Sequence, residues 1–311
     1  MELIRDADEL RDITASWRAA FPDPLPGHAT IGGTASAPAT TAPPGEASAV
    51  GLVPTMGSLH EGHASLIRRA RDDVPRLLVT IFVNPAQFAP GQDLATYPRD
   101  EAGDLEFCRR LGADAVWAPP VEEVYPPGVA LPEPDPGPIG EAFEGAARPG
   151  HLRGVLKVVR RLFDLTGPCR AYFGEKDAQQ LFLVRRMVEQ MGLPVTIVPC
   201  PTVREADGLA FSSRNARLGS EERDQAGCLF LALSEAAALA RAGETNPAIM
   251  VAAMAREIGA TPLARLDYAA VVDDATFEPI THVDVPARAI VAARFPSARL
   301  IDNLHLPETA G

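Results

Sequence analysis

Short apolar runs alternate with longer amphipathic segments through the first two thirds of the chain. The apolar runs are typical of strands buried on both faces, and they stand at Val50–Val53, Arg76–Val83, Ala113–Ala118, Cys169–Phe173 and Val195–Val198. Segments with the apolar spacing of helices lie before and between them, at Asp6–Ala20, Leu66–Ala70, Asp100–Leu111, His151–Leu165 and Gln180–Met187. This alternation predicts an α/β fold with a Rossmann-like, doubly wound parallel sheet.

The pattern changes near Thr202. A polar, turn-rich stretch over Thr202–Leu218 is followed by two helical runs and then by three strand-like runs. The helical runs are Glu221–Arg241 and Pro247–Ile258, and the strand-like runs are Leu266–Val272, Ala289–Ala293 and Arg299–Asn303. Helices followed by strands are typical of an α+β unit. We therefore predict a Rossmann-like domain over residues 1–202 and a smaller C-terminal α+β domain over residues 203–311.

Two long segments interrupt the alternation. Phe21–Ser48 is rich in Pro, Ala, Gly, Ser and Thr and has no apolar periodicity, so we predict a flexible insertion over residues 22–48. Pro119–Gly150 is rich in Pro and Gly, and loops of this length inside a domain are often lids or binding loops. The helix that follows has a basic face of Arg153, Lys157, Arg160 and Arg161, which we interpret as solvated for most of its members.

Composition narrows the functional class. The chain has 311 residues, 46% of them hydrophobic, and a formal net charge of −12. An acidic chain is a poor general binder of nucleic acid, although a local basic pocket for a small phosphate ligand is compatible with it. The N-terminus has no apolar signal core, and no run reaches membrane-spanning length. Four scattered cysteines without a CxxC pair favour a reducing compartment, so we expect a cytoplasmic protein with no membrane partner.

The most informative stretch is Val50–Arg69, where a predicted strand turns through Pro54–Ser58 into a predicted helix. His60 and His63 stand at the helix start, and small Gly62 between them leaves room for a ligand close to the backbone. Free backbone N–H groups and the helix dipole favour a phosphate at such a place. A histidine at a helix start is also often only a neighbour of the cap, so this motif alone is a weak signal.

Three further polar clusters are also candidates for binding a ligand. Gly174–Asp177 follows the fourth strand and contains Lys176, and Ser212–Arg214 adds two hydroxyls and a cation. Asn84 and Gln87 follow the second strand, where they either bind a ligand or satisfy the turn beside Pro85. There is no GxxxxGK[ST] or GxGxxG motif and no nucleophile with a paired base. A mechanism of positioning and electrostatic stabilisation therefore fits best.

Six motifs in order resemble the pantoate–β-alanine ligase family, which is related to nucleotidyltransferases with HIGH-type motifs. They are PTMGSLHEGH, FVNPAQF, TYPRD, GHLRGV, YFGEKDAQQL and DGLAFSSRN, between residues ~50 and 217. The resemblance implies condensation of pantoate with β-alanine using ATP and magnesium, through pantoyl-adenylate, to give pantothenate, AMP and pyrophosphate. It also implies a homodimer and a C-terminal domain that closes over the site.

The resemblance further implies roles for individual residues. The ATP site would contain Met56, Gly57, Ser58, Leu59, His60, Glu61, Gly62, His63, Gly174, Glu175, Lys176, Asp177, Val203, Phe211, Ser212, Ser213 and Arg214. The catalytic group would be His60, His63, Lys176 and Arg214, and His63 matches a position assigned as proton donor, although phosphate stabilisation explains an imidazole equally well. Gln87 and Gln180 would bind pantoate with help from Asn84, and Gln87 would also contact β-alanine. Asp104 matches a proposed magnesium position, with ATP oxygens and water completing the shell.

Two features depart from the family pattern. One is the 22–48 insertion, and the other is Phe211, which stands where Met or Leu is commoner and is expected to pack against the adenine. Phe107, one helical turn after Asp104, cannot be a metal ligand. The alternatives are a nucleotidyltransferase or adenylate-forming ligase for another small acid, and a silent nucleotide-binding module. The retained polar cluster disfavours a silent module, and the acidity and length disfavour a tRNA-charging enzyme.

Overall fold

The computed structural model describes residues 1–21, 49–88, 94 and 97–307. Its larger sheet has six strands, which are β1 Glu2–Ile4, β2 Val50–Thr55, β3 Arg76–Ile81, β4 Ala115–Trp117, β5 Cys169–Gly174 and β6 Val195–Cys200. They are arranged in the order β1-β4-β3-β2-β5-β6, and every pair is parallel. The flexible insertion predicted over residues 22–48 lies outside the described residues.

Seven helices accompany this sheet in the described part of the chain. They are α1 Ala7–Ala20, α2 Glu61–Asp73, α3 Glu101–Arg110, α4 Val121–Val124, α5 Glu144–Ala147, α6 His151–Thr166 and α7 Ala178–Gln190. Successive strand residues point to opposite faces, so Leu52 packs in one apolar core with α1, α6 and α7, whereas Val53 packs in another with α2 and α3. The predicted doubly wound parallel sheet is confirmed.

The first strand, β1, was not predicted from the sequence. It has only three residues, and its backbone pairs with β4 more than a hundred positions later, from Glu2 beside Ala115 to Ile4 beside Trp117. A strand this short has no visible periodicity of its own. Its existence depends on a partner that local sequence does not show.

The smaller sheet is antiparallel, in the order β7-β8-β9, and its strands coincide with the three strand-like runs predicted for the C-terminal part. Its elements are α8 Ser220–Gln225, α9 Cys228–Arg241, α10 Pro247–Gly259, β7 Arg265–Asp273, β8 Ala287–Arg294 and β9 Arg299–His305. These helices and strands share a separate apolar core, although Val272, Phe277 and Ile290 pack into the core of the larger sheet. The division into domains at residue 202 stays a prediction.

The prediction of one continuous helix over Glu221–Arg241 is wrong in one respect, because the helix is interrupted between α8 and α9. Gly227 lies at the break, and a side chain there would stand 3.3 Å from the backbone oxygen of Asp207. The polar loop that precedes α8 therefore packs against the junction of the two helices.

The segment predicted as a loop over Pro119–Gly150 contains α4, α5 and a short 3-10 turn at Pro138–Glu141. The basic face of α6 holds part of it in place. Lys157 lies 2.5 Å from Glu133, and Arg161 donates to the Val124 carbonyl oxygen at 2.9 Å. The interpretation of this basic face as largely solvated is therefore only partly correct.

No helix in the described ranges has both the length and the apolar character needed to cross a bilayer.

Candidate active site

A cavity of about 220 Å³ opens beyond the carboxyl ends of β2, β3, β5 and β6. Strand order reverses between β2 and β5, which is where open parallel sheets bind ligands. The structure brings most of the predicted site residues to its wall. They are Met56, His60, Gly62, His63, Asn84, Gln87, Gly174, Lys176, Asp177, Gln180, Val203, Phe211, Ser212, Ser213 and Arg214. Gly57, Ser58, Leu59, Glu61, Glu175 and Asp104 are not part of that wall.

His60 and His63 form the start of α2. The Nδ1 atom of His60 accepts a hydrogen bond from the Gly62 N–H at 3.2 Å, and the Nδ1 atom of His63 accepts one from the His60 N–H at 3.3 Å. The two rings lie 4.1 Å apart between centroids. Both Nδ1 atoms are therefore used in capping the helix, and both Nε2 atoms are left for other partners.

Both imidazoles are neutral at physiological pH. Burial, together with repulsion from His60 and from Lys176, lowers the pKa of His63 to about 3. Burial and repulsion from Lys176 lower the pKa of His60 to about 4. A neutral ring whose Nδ1 accepts a hydrogen bond carries its only proton on Nε2. The pair therefore presents two N–H donors that suit phosphate oxygens, at a helix end whose dipole favours negative charge.

These lowered pKa values predict that acid destabilises the protein. Because the folded pKa values lie below the ordinary value of 6.5, the unfolded chain binds protons first as pH falls. Stability is thus fully present above about pH 6.5 and is lost as pH falls toward about 4. We expect His60→Asn, which keeps an N-cap acceptor without a titrating ring, to lose less stability in this window.

Urea unfolding at about pH 7.5 and about pH 5 would measure this difference. His282→Ala, at an exposed histidine, is the matched control and should follow the unmodified protein. Equal acid sensitivity of all three proteins would contradict the burial of a neutral His60.

The turn between β2 and α2 is fixed by Asp104 from α3. Its two carboxylate oxygens accept hydrogen bonds from the Ser58 and Leu59 N–H groups, both at 2.8 Å. Gly57 and Ser58 both have positive φ, +79° and +53°, and a side chain on Gly57 would stand 2.8 Å from an Asp104 oxygen. Asp104 is 5% exposed, and burial raises its pKa. It therefore holds the strained turn that leads into the histidine pair.

This geometry does not suit the expected role of Asp104 as a magnesium ligand. The carboxylate is already occupied by two N–H donors and does not face the cavity with the histidines. Within the described ranges, no three His, Cys, Asp or Glu side chains lie close enough together to hold a metal ion. Magnesium bound with ATP would thus be held mainly by phosphate oxygens and water.

The two roles of Asp104 predict different outcomes for Asp104→Asn. A single amide oxygen cannot satisfy both N–H groups, so the free energy of unfolding should fall by about 1–3 kcal/mol. The magnesium concentration that gives half-maximal activity should stay unchanged. Urea unfolding and a magnesium titration measure the two quantities, and a raised magnesium requirement would contradict the turn-holding role. Asp100→Asn, which keeps the N-cap of α3, is the control.

The loop that carries Lys176 is held from the smaller sheet. The Lys176 side chain is 17% exposed, and its Nζ lies 3.7 Å from an Asp177 oxygen. Asn303 of β9 donates from Nδ2 to the carbonyl oxygens of Glu175 and Lys176, both at 2.9 Å, and its Oδ1 accepts from Arg288. The position of Lys176 therefore depends on a strand 127 residues later in the chain.

Gln87 is positioned by Asn84. The Nδ2 of Asn84 donates to Gln87 Oε1 at 3.0 Å and to the Gly154 carbonyl at 3.1 Å, while Asn84 Oδ1 accepts from Tyr125 at 2.7 Å and from the Ala86 N–H at 3.1 Å. Asn84 is 1% exposed, so its polar atoms are used within the protein. Asn84 would therefore affect a bound ligand by orienting Gln87.

A second cavity, of about 320 Å³, adjoins the first. The two share Lys176, Asp177, Gln180, Ser212 and Arg214, and the second extends between α5, α6 and the smaller sheet. Sequence reasoning assigned no role to Arg148 and His151 in the second cavity or to Tyr97 in the first. Tyr97 and His151 lie inside the TYPRD and GHLRGV motifs, so the motifs contained a signal for both.

Known proteins resemble this chain over nearly its whole length. The sequence profile described as pantoate–β-alanine ligase matches residues 34–305. A pantothenate synthetase of Rubrobacter xylanophilus is 46% identical over 312 residues, covering 98% of both chains. The crystal structure of a pantothenate synthetase from Thermus thermophilus superposes with a TM-score of 0.84 at 43% identity, covering 99% of this chain and 100% of that one.

A third relative was solved with ligands. The pantoate–β-alanine ligase of Francisella tularensis, complexed with β-γ ATP and β-alanine, has a TM-score of 0.72 at 29% identity and covers 98% of this chain and 97% of its own. The profile match and the identity over nearly the whole length together show that this chain belongs to the pantoate–β-alanine ligase family.

Proposed function

We propose that the protein is a ligase that condenses (R)-pantoate with β-alanine at the cost of ATP, giving pantothenate, AMP and pyrophosphate through pantoyl-adenylate. The observation that carries the proposal is the first cavity. It places two neutral imidazole donors, Lys176 and Arg214 beside Gln87 and Gln180. The first four suit a polyphosphate, and the two amides suit the hydroxyl and carboxylate groups of a small acid.

The first step activates the acid. A pantoate carboxylate oxygen attacks the α-phosphorus of ATP, the new P–O bond forms, and the bond to the pyrophosphate oxygen breaks. Negative charge accumulates on the phosphate oxygens, where the Nε2–H groups of His60 and His63 and the cations of Lys176 and Arg214 stabilise it. Neutral imidazoles with a pKa of about 3 or 4 act here as hydrogen-bond donors and not as acids.

Apolar side chains shape the part of the cavity that would hold pantoate. They are Phe82 directly after β3, Met56 in the turn, and Val155, Val158, Val159 and Leu162 of α6. They suit the two methyl groups of pantoate, while Gln87 and Gln180 suit its polar groups. Such a wall also keeps water away from the reactive anhydride.

The second step forms the amide. The β-alanine amine attacks the acyl carbon, a C–N bond forms, and the bond between that carbon and the AMP oxygen breaks. AMP leaves with the electron pair of the broken bond. The amine loses one proton, which passes to solvent or to phosphate. The same cations that stabilised the first step stabilise the leaving phosphate.

Magnesium, a homodimer and a cytoplasmic location are further parts of the proposal. They are supported by the resemblance to the family, and the four buried thiols of Cys108, Cys169, Cys200 and Cys228 suit a reducing compartment. Magnesium bound with ATP would add positive charge to the phosphates.

Incubating the protein with ATP, magnesium, pantoate and β-alanine tests the function. AMP should form only when both pantoate and β-alanine are present, and pantoate alone should support exchange of labelled pyrophosphate into ATP. Exchange with another small acid in place of pantoate would favour an adenylate-forming enzyme of different specificity. Absence of exchange with any acid would contradict the proposal.

A further inference from the structure

Two neighbouring residues of β9, Asp302 and Asn303, are polar and buried. Each is 4% exposed, although both border the second cavity. Successive side chains of a strand point to opposite faces, so the two residues reach different neighbours. Asp302 shares its face with Leu300 and Leu304, which pack in the apolar core of the smaller sheet. Because buried polar side chains cost free energy unless they are hydrogen-bonded, the partners of these two residues indicate what they do.

Asp302 forms a buried ion pair with Arg204. The guanidinium donates to both Asp302 oxygens, at 2.5 and 3.0 Å, and the side chains of Asp302 and Arg204 are 2% and 17% exposed. The same guanidinium donates to the carbonyl oxygens of Gly208 at 2.9 Å and Asn303 at 3.2 Å, and it lies 4.4 Å from the centre of the Phe230 ring. Arg204 is therefore fixed on β9 by charge, by hydrogen bonds and by an aromatic contact.

Arg204 lies in a short hairpin that ends where the Ser212–Arg214 segment begins. The Phe211 N–H donates to the Val203 carbonyl oxygen at 3.0 Å across this hairpin. Beyond the segment, Asn215 donates from Nδ2 to two oxygens of the hairpin, both at 3.0 Å. The Ser212–Arg214 segment is thus tied to the hairpin at both ends, and the hairpin is tied to β9 through Arg204.

The Asn303 amide is oriented by Arg288. Because Arg288 donates to Asn303 Oδ1, the Nδ2 group faces the carbonyl oxygens of Glu175 and Lys176. Arg288 is 5% exposed, and its Nε donates to Asp274 at 2.7 Å. A buried, ion-paired arginine therefore determines which way the amide points and, through it, where the Lys176 loop lies.

One strand thus supports both segments that would bind the phosphates. Lys176 and Arg214 belong to separate segments of the chain, and both line the first cavity. Two cations stabilise one polyphosphate only when both are correctly placed, and a displacement of about 1 Å can cost about 100-fold in rate. A buried ion pair is often no more stabilising than a well-packed apolar pair of similar volume. The pair of Arg204 and Asp302 is therefore better explained by placement than by stability.

We propose that Asp302 and Asn303 are positioning residues for the two cations of the nucleotide site. Asp302 places Arg214, through Arg204 and the hairpin. Asn303 places Lys176, through the carbonyl oxygens of its loop. This inference rests on the proposed function and specifies how its ATP site is assembled.

The first test replaces the whole ion pair with apolar side chains, in Arg204→Met/Asp302→Leu. Removing one partner alone would leave a buried charge unpaired and destabilise the fold, whereas an apolar pair should keep or raise the midpoint of urea unfolding. In pantoate-dependent pyrophosphate exchange, kcat/KM for ATP should fall about 10- to 100-fold. The KM for pantoate should change by less than about threefold, since Gln87 is held by Asn84 and not by β9.

A conservative pair and a control pair accompany this variant. Arg204→Gln/Asp302→Asn keeps hydrogen-bonding groups at both positions, so its kcat/KM for ATP should lie between those of the apolar pair and the unmodified protein. The same measurements can be made on it if the apolar pair does not fold. Arg256→Met/Glu235→Leu is the control, because that pair joins α10 to α9 at the surface, at 2.9 Å. Its kcat/KM for ATP should stay within about twofold of the unmodified value.

Double-mutant cycles distinguish placement of a cation from a general loosening of the fold. If Asp302 places Arg214, then Arg214→Met should cost less than about threefold more in a protein that already lacks the ion pair. Lys176→Met should keep its full effect in that protein. Asn303→Leu, which removes the donor to the loop, should show the reverse pattern, with little further loss from Lys176→Met and the full loss from Arg214→Met.

The outcomes separate this inference from the function on which it rests. A normal kcat/KM for ATP in the folded ion-pair variants would overturn the role of Asp302. The same additivity in both cycles would overturn the assignment of each residue to one cation. Either result would leave the ligase activity established, whereas failure of the unmodified protein to form AMP would overturn the proposed function.

Discussion

Replacing His63 with alanine should slow pantoyl-adenylate formation by about 100-fold or more, the scale of a lost donor to a developing oxyanion. His63 lies at the third position of α2, where its Nδ1 caps the helix and its Nε2–H is left for phosphate. The loss should fall on the rate constant of adenylation, since the donor matters most when charge accumulates in the transition state. Single-turnover formation of pantoyl-adenylate measures it.

A second variant separates the two roles that the sequence left open for His63. In His63→Gln the amide Nε2 can replace the ring Nε2–H as a donor, but it cannot transfer a proton. If His63 stabilises charge, as its lowered pKa of about 3 indicates, glutamine should recover part of the rate. If glutamine is as slow as alanine while adenylation by the unmodified protein rises in acid, the proton-donor role would be favoured. A near-normal adenylation rate in His63→Ala would exclude both the charge-stabilising role and the proton-donor role.

Lys176→Met should lower kcat/KM for ATP by about 100-fold, because it removes one positive charge from a largely buried phosphate site and keeps the length of the side chain. Pyrophosphate exchange at varied ATP concentration measures the change. Lys157, the only other lysine of the chain, gives the matched control. It pairs with Glu133 at the surface, so Lys157→Met should change kcat/KM by less than about twofold.

Having only two lysines also allows a chemical measurement. An amine-reactive label should modify both, and bound ATP should protect Lys176 while leaving the reactivity of Lys157 unchanged. Equal protection of the two lysines, or equal kinetics in the two methionine variants, would contradict a direct contact between Lys176 and the phosphates.

Local pattern was enough to predict the sheet because its strands are long apolar runs separated by amphipathic helices. Val50–Val53 and Arg76–Val83 are recognisable without their partners, and the parallel order follows from the alternation with helices. The three-residue strand Glu2–Ile4 and the break at Gly227 were missed for the same reason. Each is created by a contact with a distant part of the chain.

The candidate site divides in the same way. The motifs located the histidine pair, Lys176 and the two glutamines, because each follows a strand at one edge of the sheet. They did not show that Asp104 holds the turn before His60, that Asn84 orients Gln87, or that Arg148 enters a second cavity. Asp104 acts on a turn that lies 46 residues earlier in the chain, and Asn84 is anchored by the Gly154 carbonyl 70 residues later. His151, beside Arg148, likewise contacts the Gln87 backbone 64 residues earlier. Spacing along the sequence does not encode contacts of this kind.

The hydrogen bonds from Asn303 to the Lys176 loop have a consequence for acquired resistance. Asn303 lies in β9 and is 4% exposed, so an inhibitor that occupies the nucleotide site need not contact it. Substitution of Asn303 would shift the Glu175–Lys176 backbone. It would thereby lower the affinity of such an inhibitor, although the inhibitor does not contact Asn303. The same shift would weaken the binding of ATP. A resistance substitution in β9 should therefore slow growth whenever pantothenate is scarce.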